Sequence, residues 1–216
     1  MTERLNIIFE KIPNCEVFAD IGCDHGYIAK AMLDSGKANK VIIADISEKC
    51  LKKAQELLKL DIENGKAISV VSNGFISVPT CDLALIAGMG GQEICDILLD
   101  GKKANKLPKT LVLQPMKNPE KVRLTAIKLG YAFLYDKVFF SGEKYYNLML
   151  LKEGKDNLTE EEILFGRDNL SGDNPDFKKM MKIYHDKFLA VLNDEKLNED
   201  AKTSIRKKLE IIKKYV

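Results

Sequence analysis

The chain lacks an excess of charge of either sign. Its 216 residues include 34 lysines and arginines against 32 aspartates and glutamates, which leaves a formal net charge of +2. A balance this close gives no overall positive field of the kind that attracts nucleic acids. If RNA is a partner, local basic patches must bind it.

Paired cysteines are also missing. The five cysteines, Cys15, Cys23, Cys50, Cys81 and Cys95, include no C-x-x-C pair, and most lie in apolar segments. This pattern argues against a zinc ribbon and against a disulfide framework. We therefore expect reduced, structural cysteines and no bound metal.

Long apolar runs are absent as well. No run approaches the roughly 18 residues that a membrane-spanning helix needs. The first residues, MTERLNIIFEKIP, scatter charges through an amphipathic pattern and contain no apolar core of signal-peptide length. We expect a cytoplasmic protein with no membrane partner, whose apolar content of 45% is enough for the core of one domain plus an appendage.

What the chain does contain is a regular alternation of strand-like and helix-like segments up to about residue 152. Short β-rich runs such as VFADIG, VIIADI, CDLALIAG and TLVLQP alternate with segments of helical period. This pattern predicts βαβ units around a parallel sheet. After Gly130 two β-rich runs follow each other without a helix, which predicts an antiparallel hairpin. The predicted fold class is α/β: a Rossmann-like class I methyltransferase fold with a mostly parallel seven-stranded sheet and a terminal hairpin.

The last part of the chain, from about Lys155, has helical periodicity only. Apolar residues recur at spacings of three and four over 177–191 and again over 201–212, which predicts a coiled-coil hairpin of two antiparallel helices. We expect a catalytic domain over residues 1–154 and a helical domain over residues 155–216. The lysines of these helices either form a solvated surface, which is the simpler interpretation, or contact phosphates of an RNA.

The segment ADIGCDHGYIAK carries the first candidate site. A buried strand that runs into a glycine turn and a helix is typical of nucleotide and adenosyl sites. Here the spacing gives Asp20, Gly22, Asp24 and Gly26, with an aspartate where a glycine usually stands. The Asp24 carboxylate would repel a pyrophosphate, whereas it suits a positively charged sulfonium. The turn therefore favours S-adenosylmethionine over a nicotinamide dinucleotide.

Two further signals follow the next predicted strands. Asp45, before Ile46, ends the second strand, where a carboxylate can accept hydrogen bonds from both ribose hydroxyls. Asn73 and Gly74 follow the third strand, where they can meet an adenine edge. Each signal has a plainer explanation, since Asp45 can cap the next helix and Asn-Gly can simply form a turn. Together they predict a cofactor site at the carboxyl ends of the strands.

The fourth predicted strand ends in LIAGMGGQEI, in which Gly88, Gly90 and Gly91 surround Met89. Tight turns alone can require such glycines, but we favour open backbone beside a flat ligand. The Asn/Asp-Pro-Pro-aromatic run of methylases that act on the exocyclic adenine amine is missing. A ring nitrogen needs no proton removed before it attacks, so positioning and charge stabilisation would suffice for such an acceptor.

The motifs ADIGCDHGYIA, AGMGG and LVLQP, with the terminal hairpin, resemble the bacterial tRNA (adenine-N1)-methyltransferases that modify adenine 22. The helical tail resembles the coiled-coil appendage of that family. The resemblance implies a metal-free enzyme that methylates tRNA with S-adenosylmethionine and has Asp24, His25 and Tyr27 in its active site. We also place Gln114 and Pro115 around the acceptor and expect a monomer.

Two of the motifs depart from the family's pattern, which usually reads Asp-His-Ala-Tyr-Leu-Pro and Gln-Pro-Asn. This chain has Gly26 and Ile28-Ala29 in the first motif, which are conservative changes, and Met116 in the second. Met116 removes an amide that could hold the substrate base.

His25 is one of only two histidines. Two roles stay open for it: hydrogen bonding that fixes the loop, or orienting the substrate base. A neutral N1 nucleophile gives a histidine base nothing to deprotonate, so we do not assign it as a general base. His185, beside Tyr184, is most simply an exposed helix residue.

Two other functions also stay open. The protein could methylate another nucleic-acid base or a small molecule, because the cofactor motifs constrain the acceptor little. It could instead be an RNA-binding module whose core senses an adenosyl ligand without catalysis. The presence of Asp24, Tyr27 and Gln114-Pro115 around the presumed acceptor site argues against the non-enzymatic alternative.

Overall fold

The computed structural model describes residues 1–171, 173–193 and 197–216. The strands are β1 (Cys15–Ile21), β2 (Ala38–Asp45), β3 (Ala67–Val71), β4 (Leu83–Met89), β5 (Thr110–Pro115), β6 (Tyr131–Ser141) and β7 (Lys144–Glu153). The helices are α1 (Glu3–Lys11), α2 (Tyr27–Asp34), α3 (Glu48–Leu57), α4 (Lys59–Glu63), α5 (Gly91–Lys103), α6 (Pro119–Lys128), α7 (Glu160–Phe165), α8 (Arg167–Leu170), α9 (Pro175–Leu192) and α10 (Glu199–Ile212).

The strands form one seven-stranded sheet in the order β3-β2-β1-β4-β5-β7-β6. β1 to β5 pair in parallel, and β7 runs antiparallel to both of its neighbours, β5 and β6. This arrangement confirms the predicted fold class. The order reverses between β1 and β4, so the carboxyl ends of these two strands form the topological switch point where open α/β sheets bind ligands.

The apolar runs of the sequence explain why these strands are central. Leu83 to Ile86 in β4 are all buried, as are Phe18 to Ile21 in β1, because helices cover both faces of the sheet. Side chains that alternate along the strands belong to two apolar clusters, one on each face of the sheet. The polar residues that follow each strand therefore lie at the carboxyl edge of the sheet. None of the helices in the described parts of the chain is long and apolar enough to span a bilayer.

Helix α1 packs on one face of the sheet, and its first turn lies near the carboxyl end of β4. Thr2 caps the helix by accepting a hydrogen bond from the backbone of Leu5, and Ile8 is fully buried in the core. The Glu3 carboxylate accepts hydrogen bonds from the Ser141 hydroxyl at 2.8 Å and from the Gly142 amide at 3.2 Å. These contacts tie the helix to the β6–β7 turn.

Strand β6 lies at the edge of the sheet, yet side chains pair its outward amides. The backbone amides of Phe133, Asp136, Val138 and Phe140 donate to the side chains of Asp156, Asp168, Asn169 and Asp176, at 2.8 to 3.0 Å. Side chains from residues 156–171 and 173–176 thus take the place of an eighth strand. They satisfy polar groups that an exposed edge would leave open to another chain.

A buried ion pair also connects this segment to the sheet. The Arg123 guanidinium, on α6, donates to both carboxylate oxygens of Asp136, at 2.7 and 2.9 Å, and neither side chain is more than 1% exposed. It also donates to the carbonyl oxygens of Ile163 and Leu164 in α7. A Cβ on Gly166 would lie 2.8 Å from this pair, so the tail approaches it through a glycine.

Helices α9 and α10 pack against each other, as the predicted helical hairpin requires. Residues 194–196, within the predicted link between them, lie outside the described residues. Phe177 and Met181 are buried, but Tyr184 and Val191, which we predicted on the same apolar stripe, are 39% and 41% exposed. A coiled coil stays a prediction, and so does the division at residues 154 and 155, since α7, α8 and the start of α9 pack on the sheet domain.

We expect Asp136→Asn to lower the free energy of unfolding by about 3–5 kcal/mol, because it leaves the buried Arg123 charge without its counter-ion. Chemical denaturation measures the change. The matched control is Asp34→Asn, which breaks an exposed pair with Lys30 and should cost about 0.5 kcal/mol or less. A loss no larger than the control's would show that the buried pair does not hold the tail.

Candidate active site

A cleft of about 1060 Å³ opens at the carboxyl ends of the first four strands. The predicted site residues that line it are Asp20, Gly22, Asp24, His25, Tyr27, Asp45, Ile46, Asn73, Gly74, Gly88 and Met89. Gly26, Gly90, Gln114 and Pro115 do not line it. The fold therefore brings most of the predicted residues to one place, and their individual roles stay predictions.

Asp20 lies in the floor of the cleft and is only 6% exposed. Burial raises its pKa to about 7; the nearby charge of Asp45 adds to the rise, and a hydrogen bond with the backbone of Ala29 opposes it. A positively charged ligand would stabilise this carboxylate, because a neighbouring cation favours its ionised form.

Gly22 follows Asp20 in the left-handed region, at φ +74°. A Cβ on Gly22 would lie 1.9 Å from the terminal methyl of Met89, so the methionine side chain covers this glycine. A ligand lying against Gly22 has to displace that methyl group, which the three rotatable bonds of methionine permit.

Gly26 has a structural role instead. It is the N-cap residue of α2 at φ +71°, and a Cβ there would lie 2.9 Å from Ala54 on α3 and 2.9 Å from Leu58, the residue that follows α3. The glycine thus allows α2 and α3 to pack closely. It does not reach the cleft, so the structure gives no support to its predicted contact with a cofactor.

Asp45 is half-buried at the end of β2. One carboxylate oxygen accepts a hydrogen bond from the backbone amide of Ser47 at 2.8 Å. Ser47, not Asp45, is the N-cap of α3, since its hydroxyl accepts from the amide of Cys50. The alternative interpretation of Asp45 as the helix cap is therefore wrong, and its carboxylate is held in place at the cleft beside the exposed Ile46.

The loop after β3 forms a turn that also lines the cleft. The Ser72 hydroxyl, which the sequence analysis missed, donates to the carbonyl of Gly74 at 2.9 Å and accepts from the amide of Ser77. Gly74 has φ +59° and packs against Ile97. Asn73 and Gly74 do form a turn that lines the cleft, and their contact with an adenine edge stays a prediction.

The three glycines around the end of β4 serve different purposes. Gly88 has φ +81° at a register shift between β4 and β5, which turns Met89 towards Gly22. A Cβ on Gly91 would lie 2.4 Å from the carbonyl oxygen of Lys117, so packing requires that glycine. Gly90 caps α5 with open space around it.

Asp24, His25 and Tyr27 form the outer rim of the cleft. Asp24 adopts φ +45°, a conformation that aspartate tolerates better than most residues. Its carboxylate accepts from His25 Nδ1 at 2.7 Å, and the Lys53 ammonium lies 3.4 Å from His25 Nε2. A tautomer with its proton on Nδ1 would satisfy both contacts, because an ammonium can only donate and a carboxylate can only accept.

The two rim rings lie parallel. The ring centroids of His25 and Tyr27 are 5.4 Å apart, with an interplanar angle of 3°, and Tyr27 is 45% exposed. The contact with Asp24 orients the imidazole beside Tyr27. Both roles left open for His25, fixing the loop and orienting the substrate base, stay predictions. Lys53, on α3, was missed because nothing in its local sequence distinguishes it from other helix lysines.

Gln114 and Pro115 are buried behind the cleft wall. The Gln114 amide donates to the Pro115 carbonyl at 3.1 Å and to the Met116 sulfur at 3.4 Å, while its oxygen accepts from the Arg4 guanidinium. Gln114 thus acts through Arg4, which does line the cleft. Arg4 was also missed, since the amphipathic pattern of α1 does not reveal a contact 110 residues away.

Acidic side chains dominate the cleft wall. The carboxylates that line it are Asp20, Asp24, Asp45, Glu93, Asp96 and Asp100, the last three from α5. Such a wall favours a cation and repels a polyphosphate. Among the described residues, no group of three or more histidines, cysteines and carboxylates is arranged to hold a metal ion; the absence of a metal stays a prediction.

Comparison with known proteins identifies the class to which this fold and site belong. Residues 1–149 match the model of the family described as "Methyltransferase domain". The chain belongs to that family.

The chain is also similar in sequence to proteins named as tRNA methyltransferases. The chain is 28% identical over 161 residues to tRNA (adenine(22)-N(1))-methyltransferase from Bacillus subtilis, a match that covers 71% of this chain and 66% of that protein. It is 34% identical over 117 residues to a putative tRNA methyltransferase from Mycoplasma pneumoniae, which covers 52% of this chain and 51% of that protein. The match spans less than two thirds of the length of either relative.

Solved structures share the fold along the whole chain. A putative tRNA (m1A22) methyltransferase from Streptococcus pneumoniae has a TM-score of 0.92 at 20% identity, and the match covers 100% of this chain and 99% of that one. M. capricolum TrmK in complex with S-adenosyl-homocysteine has a TM-score of 0.88 at 24% identity, over 100% and 97% of the two chains. At these identities the likeness establishes a common fold, including the helical tail.

The raised pKa of Asp20 predicts a pH dependence of stability. Between its ordinary value of 3.8 and about 7, the native protein holds a proton that the unfolded chain has lost. Raising the pH through this range therefore lowers the free energy of unfolding, by up to about 1.4 kcal/mol per pH unit. Urea denaturation across the range should show a shallower pH dependence for Asp20→Asn, with Asp34→Asn as the exposed control. Parallel curves for wild type and Asp20→Asn would contradict the assignment.

Proposed function

We propose that the protein transfers a methyl group from S-adenosylmethionine to N1 of adenine 22 in tRNA. One observation carries the proposal: Asp45, Asp20 and the rim formed by Asp24, His25 and Tyr27 line one acidic cleft at the switch point of the sheet. The family membership and the Bacillus subtilis relative support the reaction and its substrate.

The order of the strands determines which part of an adenosyl cofactor would lie at each strand end. The ends of β3, β2 and β1 carry Asn73-Gly74, Asp45 and Asp20 in turn, and neighbouring strands are about 4.8 Å apart. An adenosyl group therefore fits with its adenine at β3 and its ribose hydroxyls on Asp45. When bound, S-adenosylmethionine supplies a methyl group on a positively charged sulfur. Ionised Asp20 compensates that charge.

The rim residues suit the acceptor base. Tyr27 and His25 present flat, exposed rings on which an unstacked adenine can lie. The adenine becomes positively charged when N1 is methylated, so a carboxylate at its edge stabilises the transition state more than the neutral base. We assign that carboxylate to Asp24, whose side chain is 60% exposed at the rim.

The helical tail is proposed to aid tRNA binding, in a monomeric cytoplasmic enzyme. Lys178, Lys179 and Lys182 on α9, and Lys207 and Lys208 on α10, are exposed. The paired edge of β6 holds α9 in a fixed orientation to the cleft, so phosphate contacts on the tail can help to position the base.

Substituting these lysines with glutamine should weaken tRNA binding and reduce its dependence on salt, in titrations at several salt concentrations.

Incubation with labelled S-adenosylmethionine and matched tRNA transcripts tests the function directly. A transcript with adenine at position 22 should yield 1-methyladenosine in nucleoside analysis, and the transcript with guanine at that position should not. Cofactor binding without methylation of either transcript would contradict the proposed acceptor, and would favour a different methyl acceptor or a non-enzymatic role.

Asp24→Asn tests the rim carboxylate, because it keeps the shape of the side chain and removes its charge. We expect kcat on tRNA to fall by about 100-fold, the scale seen when one preorganised electrostatic group is lost, with much less change in cofactor affinity. Asp34→Asn, at the far end of α2, should leave kcat unchanged. Poor cofactor binding with turnover restored at saturating cofactor would make Asp24 a cofactor ligand instead, and normal values for both constants would make it a loop residue only.

A further inference from the structure

The two sides of the cleft carry charges of opposite sign. Helices α3 and α5 cover opposite faces of the sheet, since their buried residues belong to different apolar clusters. The α5 side presents the carboxylates of Glu93, Asp96 and Asp100 to the cleft. The α3 side presents the exposed ammonium of Lys53 at the rim. Because phosphate is repelled by the first side and attracted by the second, an RNA strand that reaches the rim is expected to cross the α3 side.

Lys53 contacts the rim without being neutralised there. Its ammonium lies 3.4 Å from His25 Nε2 and 3.8 Å from Oδ1 of Asp24. The second distance is too long for a charge-assisted hydrogen bond, which usually measures about 2.7–2.9 Å. The Lys53 side chain is 49% exposed, and an ammonium has three N–H donors. Lys53 can therefore bind an anion from solution and keep its contact with His25.

A second lysine extends this positive surface. Lys49 is exposed and lies four residues before Lys53, so the two side chains are neighbours on one face of α3. Glu48 and Glu56 of the same helix form no salt bridge with either lysine in the parts of the chain that the structure describes. The positive charge beside the rim is thus available to a ligand.

The geometry of the rim indicates which anion that ligand supplies. A base that lies on the exposed rings of His25 and Tyr27 has left the stack of its neighbours, and its own sugar and phosphates come with it. The phosphates that adjoin this nucleotide are held close to the rim by their covalent linkage to the base. A lysine ammonium is a compact charge that suits a phosphate oxygen.

We propose that Lys53 binds a phosphate group that adjoins the target adenosine of the tRNA. This inference rests on the proposed function, because it uses the same rim and the same RNA. The contact differs from those proposed for the tail lysines, since it is made at the reacting nucleotide. Neutralising one particular phosphate should therefore remove it.

A tRNA assembled with a single methylphosphonate linkage beside nucleotide 22 tests the contact, because this linkage has no charge. In equilibrium binding titrations, we expect the neutral linkage on one side of adenosine 22 to weaken wild-type binding by about 3-fold to 10-fold, and binding to Lys53→Gln by less than about 1.5-fold. On unmodified tRNA, Lys53→Gln should reduce the slope of log affinity against log salt by about one.

Matched controls separate the contact from general electrostatics. Lys53→Arg keeps the charge and should keep the sensitivity to the neutral linkage. Lys40→Gln removes an exposed lysine near the start of β2, at the end of the sheet opposite the cleft, and should bind tRNA as the wild type does. A methylphosphonate in the anticodon loop should affect the wild type and Lys53→Gln equally. Unchanged S-adenosylhomocysteine binding in calorimetry shows that each variant has folded.

The outcomes distinguish this inference from the proposed function. Equal sensitivity of the wild type and Lys53→Gln to the neutral linkages on both sides of adenosine 22 would overturn the phosphate contact, even if the variant turns over slowly. A lysine that acts only by orienting His25 would give that result, and methylation of adenine 22 by the wild type would then leave the proposed function intact. Selective loss of sensitivity in Lys53→Gln without methylation would support the contact and contradict the proposed acceptor. Failure of the wild type to bind tRNA would overturn both.

Discussion

The parallel direction of β1 to β4 is the constraint on which the rest of the structure depends. Parallel strands end at one edge, so whatever follows each strand in sequence meets there in space. The buried strands exclude polar residues from their interiors, which leaves Asp20, Asp45, Asn73 and Gly88 at or just beyond their ends. The cleft is therefore a consequence of strand direction, and its acidic character follows from which residues stand at those positions.

At the other edge of the sheet, strand β6 would leave backbone amides without partners. Here the carboxylates of Asp156, Asp168 and Asp176 and the amide oxygen of Asn169 accept hydrogen bonds from β6. Arg123 also binds Asp136 of the same strand. The same contacts fix the start of α9. The tail is thus joined to the sheet by polar groups with defined directions as well as by apolar packing around Phe177, which gives it a fixed orientation relative to the cleft.

Local sequence was sufficient for the parts of the protein that local rules govern. Alternating periods gave the sheet and its hairpin, and strand ends gave Asp20 and Asp45. Arg4 with Gln114, Lys53 with His25, and Arg123 with Asp136 were not predicted, because each pair comes from different elements that only the tertiary fold brings together. Single glycines were equally ambiguous. Gly26 is required by the packing of α2 against α3, and Gly91 by the close approach of the backbone at Lys117, whereas Gly22 lines the cleft; all three belong to glycine-rich motifs.

A crystal structure with S-adenosylhomocysteine is the most direct measurement of the central claim, that the strand order sets the direction of the bound cofactor. The account predicts both ribose hydroxyls within hydrogen-bond distance of the Asp45 carboxylate, the adenine against the Asn73-Gly74 turn, and the sulfur directed towards the Tyr27 rim. A ligand bound in the reverse direction, or outside the cleft between β1 and β4, would contradict it.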